Sequence, residues 1–64
     1  MYINQILNSK ELISRISNCT IKHTNNTGYA IVITLDNHEY QVFNGNKSNC
    51  EKFNSKILDL MEQY

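Results

Sequence analysis

The run "YAIVITLDNHEYQVF", residues 29–43, constrains this chain more than any other stretch. Residues that favour strands flank Asp36-Asn37, a pair suited to the left-handed backbone of a two-residue hairpin turn. With that turn, Leu35 faces His38, Ile33 faces Tyr40 and Ile31 faces Val42. The pairing gathers Leu35, Ile33, Ile31, Tyr40 and Val42 on one side, and a slip of one residue would scatter them. "CTIKHT", residues 19–24, supplies a further strand. A three-residue loop of Asn26, Thr27 and Gly28, with Gly28 at positive φ, places Cys19 opposite Leu35, Ile21 opposite Ile33 and His23 opposite Ile31. The expected sheet is a three-stranded antiparallel meander centred on "YAIVITL".

Two helices complete the expected fold. Asn8 with Glu11 three positions on forms a capping-box pattern, Leu7 and Leu12 form a hydrophobic staple, and Leu12, Ile13 and Ile16 make an apolar stripe. That predicts a helix over 9–17, preceded by an extended or irregular arm over 1–7. A rival start near Tyr2 places Tyr2, Ile6, Ile13 and Ile16 on one helical face. Near the other end, Ser48 and Glu51 read as a second capping box. Cys50, Phe53, Ile57, Leu60, Met61 and Tyr64 recur at three and four, predicting an amphipathic helix over 49–62. The fold class expected is α+β, a two-layer sandwich in the order α-β-β-β-α, with both helices on one face of the sheet. Residues 1–64 form a single domain in this reading, because no linker, repeat or low-complexity tract divides them.

The opposite sheet face follows from the same arithmetic: Thr20, Lys22, Thr24, Ala30, Val32, Thr34, Glu39, Gln41 and Phe43. Most of these suit a solvated face. An apolar centre at Val32, with Ala30, Thr34 and Gln41 around it and with Phe43 and Tyr29 brought into reach by sheet twist, makes this the candidate protein interface. Lys22 and Glu39 lie on the two edge strands, where charge discourages unwanted pairing.

At 64 residues, the chain buries roughly 60% of its unfolded surface, so a partner, metal or disulfide would help it. Six basic residues balance six acidic ones, and Arg15 is the single arginine, which argues against a general polyanion binder. The N-terminal stretch has no basic leader followed by an apolar segment, and no run approaches the roughly 20 apolar residues of a membrane span. A soluble cytoplasmic protein is expected, and both Cys19 and Cys50 are then read as reduced, buried small hydrophobes rather than a disulfide. The Asn-x-Ser/Thr triplets at Asn18, Asn25 and Asn46 carry no meaning without secretion. Ten Asn, eight Ile and no Pro or Trp match the coding bias of AT-rich genomes, such as those of many low-GC bacteria, their phages and some eukaryotic parasites.

No catalytic motif emerges, and the chain reads as a non-enzyme without a cofactor. Neither glycine belongs to a phosphate loop. His23 falls on the helix-facing side or its rim, and His38 follows a turn. Cys19, Cys50, His23 and His38 are zinc-ligand types, but lack the close Cys pair that seeds such sites. Cys50, in the first turn of a helix, is the candidate reactive thiolate, although its place on the apolar stripe opposes that role. Asp36, Glu39, Asp59 and Glu62 form no pair across an expected cleft.

From "YAIVITLDNHEYQVFNGNKSNCEKFNSKIL" and the preceding helix and strand, the element order resembles the double-stranded RNA-binding domain over nearly the whole chain. That resemblance implies phosphate contacts from Lys47, Lys52 and Lys56, a minor-groove loop at 25–28, and polar contacts from Ser9, Lys10 and Glu11. The family's alanine-rich second helix is replaced here by Phe53, Asn54, Ser55 and Ile57, and Glu51 interrupts the basic residues.

The leading expectation is a small non-catalytic accessory or inhibitor protein, of the kind encoded by phages or other mobile elements, that binds another protein. The alternative is nucleic-acid binding through Lys10, Lys22, Lys47, Lys52 and Lys56. A third is a structural homodimer that pairs sheet edges or packs the 2–7 arm into a second copy.

Overall fold

A computed structural model describes residues 2–24 and 28–63. The elements are α1 (Ile3–Leu7), α2 (Lys10–Arg15), β1 (Ile16–His23), β2 (Tyr29–Leu35), β3 (His38–Gly45) and α3 (Lys47–Gln63). The chain is a small α+β domain, a three-stranded antiparallel sheet in the order β1-β2-β3 with helices packed against it.

The expected arm is a helix, so the order is α-α-β-β-β-α. Ile3 and Ile6 of α1 are buried in the core, and that burial accounts for a helix of only five residues. Gln5 Oε1 accepts from the Tyr2 backbone N–H at 2.9 Å, holding the first turn. Asn8 ends α1, its side chain donating to the Asn4 carbonyl at 2.9 Å. The cap of α2 is then Ser9, one residue later than expected: Ser9 Oγ accepts from Leu12 N at 3.2 Å.

α2 stops at Arg15, and Ile16 is already extended (φ −75°, ψ 126°), so helix passes to strand with no loop. β1 therefore begins three residues before Cys19. The pairing shifts between Ile16 and Asn18, leaving Ser17 as an extra residue whose hydroxyl donates to the Thr34 carbonyl at 3.4 Å.

The hairpin at Asp36-Asn37 forms as expected. Both residues have positive φ, 52° and 70°, and Leu35 pairs with His38, Ile33 with Tyr40. The β1–β2 register differs by two residues from expectation: Cys19 pairs with Ile33, Ile21 with Ile31 and His23 with Tyr29. A slip of two keeps every side chain on its face, so the hydrophobic pattern could not detect it. The expected turn residues Asn26 and Thr27 lie outside the described residues. Gly28 does not adopt positive φ; its carbonyl accepts from Thr24 N at 2.9 Å.

The larger correction is at Val42. The register shifts between Ile31 and Val32, so Phe43, not Val42, pairs with Ile31, and Val42 is the additional residue of a bulge. Val42 is fully buried, and Phe43 packs on the helix side against Phe53. The outward position expected for Phe43 is therefore wrong. α3 begins earlier than expected because Asn46, not Ser48, caps it, accepting from Asn49 N at 2.8 Å. Glu51 faces Lys47 across one turn rather than closing a box with Ser48.

The core comprises Ile3, Ile6, Ile13, Ile16, Cys19, Ile31, Ile33, Leu35, Val42, Cys50 and Ile57. No described helix is long and apolar enough to cross a membrane.

Candidate functional site: an aromatic row at one end of the sheet

Register places His23, Tyr29 and Gly45 side by side across β1, β2 and β3. The His23 and Tyr29 rings meet edge-on with centroids 5.0 Å apart. Gly45 has no side chain, and the Phe43 ring occupies the room: a Cβ at Gly45 would lie 2.8 Å from Phe43 Cε2. Phe43 in turn packs on Phe53 of α3 at 4.9 Å between centroids and meets Tyr2 at 6.2 Å. The result is an aromatic row in two groups at one end of the sheet: the His23–Tyr29 pair on β1 and β2, and the Phe53–Phe43–Tyr2 series, whose Phe43 ring lies over Gly45, the register neighbour of Tyr29. Tyr29, Phe43 and Phe53 are half-buried, His23 is exposed, and Tyr2 is 52% exposed.

The bulge creates this row. Without the additional residue at Val42, Phe43 would point away from the helices and the end of the sheet would lack its central ring. Tyr29 reaches the row because it alternates with Ile31, Ile33 and Leu35 on the helix side. The expectation that put Phe43 on the opposite face is corrected, and Tyr29, expected to approach that face through sheet twist, packs with His23 and the helix-side core instead. His23 stands at the exposed rim rather than under the helices.

The opposite face is furnished differently. In register it shows Asn18, Thr34 and Glu39; Thr20, Val32 and Gln41; and Lys22, Ala30 and Asn44. Ala30 is 2% exposed and Val32 and Thr34 are half-buried, whereas Gln41 is exposed. Lys22 Nζ and Glu39 Oε1 lie 3.6 Å apart, two rows from one another, so the ion pair spans the central strand across Val32. These charges thus meet each other on the open face rather than guarding separate edges. Gln41 donates to Asn44 across the bulge. Of the six expected interface residues, Ala30, Val32, Thr34 and Gln41 lie on this side, with half-buried Val32 at its centre, whereas Tyr29 and Phe43 do not.

The lysines expected to meet nucleic acid are not brought together. Lys10 is in the first turn of α2, Lys22 is on the open sheet face, and Lys47 approaches Glu51 at 4.0 Å. Lys52 and Lys56 are exposed on α3 and, among the described residues, make no ion pair. Arg15 is committed to Asp36: Nη2 pairs with Oδ2, and Nε donates to Oδ1 at 3.4 Å. That hydrogen bond holds the Asp36 carboxyl below its ordinary range.

Both cysteines are buried free thiols. Burial pushes the Cys19 thiol up to about 11, and Cys19 Sγ donates to Asn54 Oδ1 at 2.9 Å. Burial raises Cys50 as well, against the opposing influence of a backbone hydrogen bond with Gly45. Cys50 is closed off inside the first turns of α3, so the reading of it as an accessible thiolate fails on access and on charge. Among the described residues, no three His, Cys, Asp or Glu side chains cluster as a metal site.

The chain matches no protein-family model, no curated protein and no solved structure. None of these comparisons supports the resemblance to the double-stranded RNA-binding domain, and the additional helix α1 departs from the element order that carries it.

Proposed function

We propose that this chain works by binding another protein through the aromatic row. The observation that carries the reading is the exposure of Tyr2 at the end of a packed series of rings, Phe53, Phe43 and Tyr2. Large rings held by their neighbours offer contact area with little conformational entropy to lose, which is why such residues dominate binding energy at interfaces. The open sheet face supports the reading less well, since an ion pair and a side-chain hydrogen bond already occupy it. An accessory or inhibitor role agrees with the small size of the domain.

Immobilised wild-type chain and a Tyr2→Glu variant, each incubated with the same host lysate, test this. A protein retained stoichiometrically by the wild type and by Gln41→Glu, but not by Tyr2→Glu, is the expected result. Loss with Gln41→Glu and retention with Tyr2→Glu would move the site to the open face. Duplex RNA retained in place of a protein would favour the alternative reading.

A further inference from the structure

The charge beside the aromatic row specifies the partner further. Two contacts orient α3: Asn54 reaches Cys19 on β1, and Phe53 reaches Phe43 on β3. One flank of the helix therefore belongs to β1 and carries Glu51 and Asn54, three positions apart. The other belongs to β3 and carries Phe53, with Lys56 three positions on; Lys52, one turn before Lys56, extends from that flank onto the outer face of the helix. Every other cation among the described residues is engaged: Arg15 with Asp36, Lys22 with Glu39, Lys47 with Glu51, and Lys10 in an interaction of its own. Among the described residues, Lys52 and Lys56 alone have no ion-pair partner, and Asp59, three positions beyond Lys56, forms no ion pair with it. α1, on the Tyr2 side of the row, contributes no acidic residue.

We infer that the row takes an acidic protein segment: a large apolar side chain seated against Tyr2, Phe43 and Phe53, with carboxylates on Lys52 and Lys56. The inference rests on the proposed function and adds the chemistry of the partner. The two ammonium groups are attached about 6 Å apart along the helix, at 1.5 Å rise per residue. That spacing fits two carboxylates one turn apart on a helix, or two positions apart on a strand. Unpaired cations at the rim of an apolar patch raise the association rate and select against basic partners. A nucleic-acid strand suits the site less, because two lysines on a neutral domain provide little phosphate neutralisation.

The test is an amide chemical-shift titration of the full 15N-labelled chain with three probes: a peptide of alternating Glu and Phe, its Gln-for-Glu counterpart, and a twelve-residue oligothymidine. The expected result is shifts at Tyr2, Phe43, Lys52, Phe53 and Lys56 with the Glu/Phe peptide. Affinity should fall about tenfold or more for the Gln peptide and for a Lys52→Glu, Lys56→Glu double variant, both of whose changes are on the exposed surface. Asp59→Lys should tighten the Glu/Phe peptide. Equal affinity of the Glu and Gln peptides, with shifts on the row, overturns the charge inference and leaves the aromatic site standing. Preference for oligothymidine, or no shift with the Glu/Phe peptide, also overturns it. Shifts confined to Thr20, Val32 and Gln41 overturn both readings.

Discussion

The two ends of β2 are closed by opposite means. At the Leu35 end, Asp36 and Asn37 turn the chain within two residues, and Arg15 clamps Asp36 to the end of α2. At the Tyr29 end, the rings of His23 and Tyr29 meet on β1 and β2, and those of Phe53, Phe43 and Tyr2 pack in series beside Gly45. The first end uses backbone conformation and an exposed ion pair, and its charges are satisfied internally. The second uses apolar contact gathered from across the chain and leaves both ring surface and unpaired lysines at its border. The end that is finished internally presents Tyr40, 37% exposed, as its large apolar side chain, against 52% for Tyr2 at the other end. The end that is incompletely covered is where binding surface remains.

On this contrast, the largest stability effect belongs to the ring end. Phe43→Ala should lower stability by about 2–4 kcal/mol, because it removes the ring between Tyr2 and Phe53 and leaves a cavity. Urea unfolding followed by circular dichroism measures it, and a loss under 1 kcal/mol would break the comparison. Gly45→Ala should cost about 1–3 kcal/mol, since the added methyl meets a Phe43 ring that neighbours hold in place. A crystal structure of that variant should show the ring displaced from the row.

Cys19 gives a smaller effect that depends on pH. Its thiol titrates near 11 in the folded chain against an ordinary 9.0, so between those values the unfolded chain ionises while the folded chain does not. Stability should therefore fall as pH rises through this window, by on the order of 1–2 kcal/mol near pH 11. Cys19→Ala should lose that slope, which a comparison of urea midpoints at pH 8 and 10.5 would reveal.

The turn end should yield the smallest change. Arg15→Met is expected to cost less than Gly45→Ala, because the Arg15–Asp36 pair is exposed and water competes with it. The Asp36 carboxyl is held below its ordinary 3.8, so the stabilisation from the pair is present above that pH and lost as pH falls through the folded value. Wild type and Arg15→Met should converge in strongly acidic buffer. A cost for Arg15→Met equal to that of Phe43→Ala would mean that the two ends do not differ in the way described.

The same contrast explains what was legible in the sequence. Asp36-Asn37 and the alternation of Ile31, Ile33 and Leu35 are local signals, and the second hairpin was readable to the residue at its turn. The α3 stripe was readable for the same reason, its start missed only because Asn46 and Ser48 are both competent caps. Adjacent caps at Asn8 and Ser9 likewise hid the break between α1 and α2. The bulge was invisible because Val42 and Phe43 are both apolar, so either suits the inward position. Once Phe43 was assigned to the wrong face, the row could not be seen, since its members come from five elements and share no local motif. The one available hint was Gly45 two residues after Phe43, a strand glycine beside a large ring.

The absence of a loop between α2 and β1 has a further consequence in time. Each strand pairs with its neighbour in sequence, and α2 enters the sheet directly at Ile16. Little chain entropy is spent in bringing these elements together, so their assembly should be fast. The row, by contrast, must wait for α1 and α3 to arrive from the two ends of the chain. Folding followed by far-ultraviolet circular dichroism should consequently lead folding followed by tyrosine fluorescence whenever docking of those helices lags behind the meander.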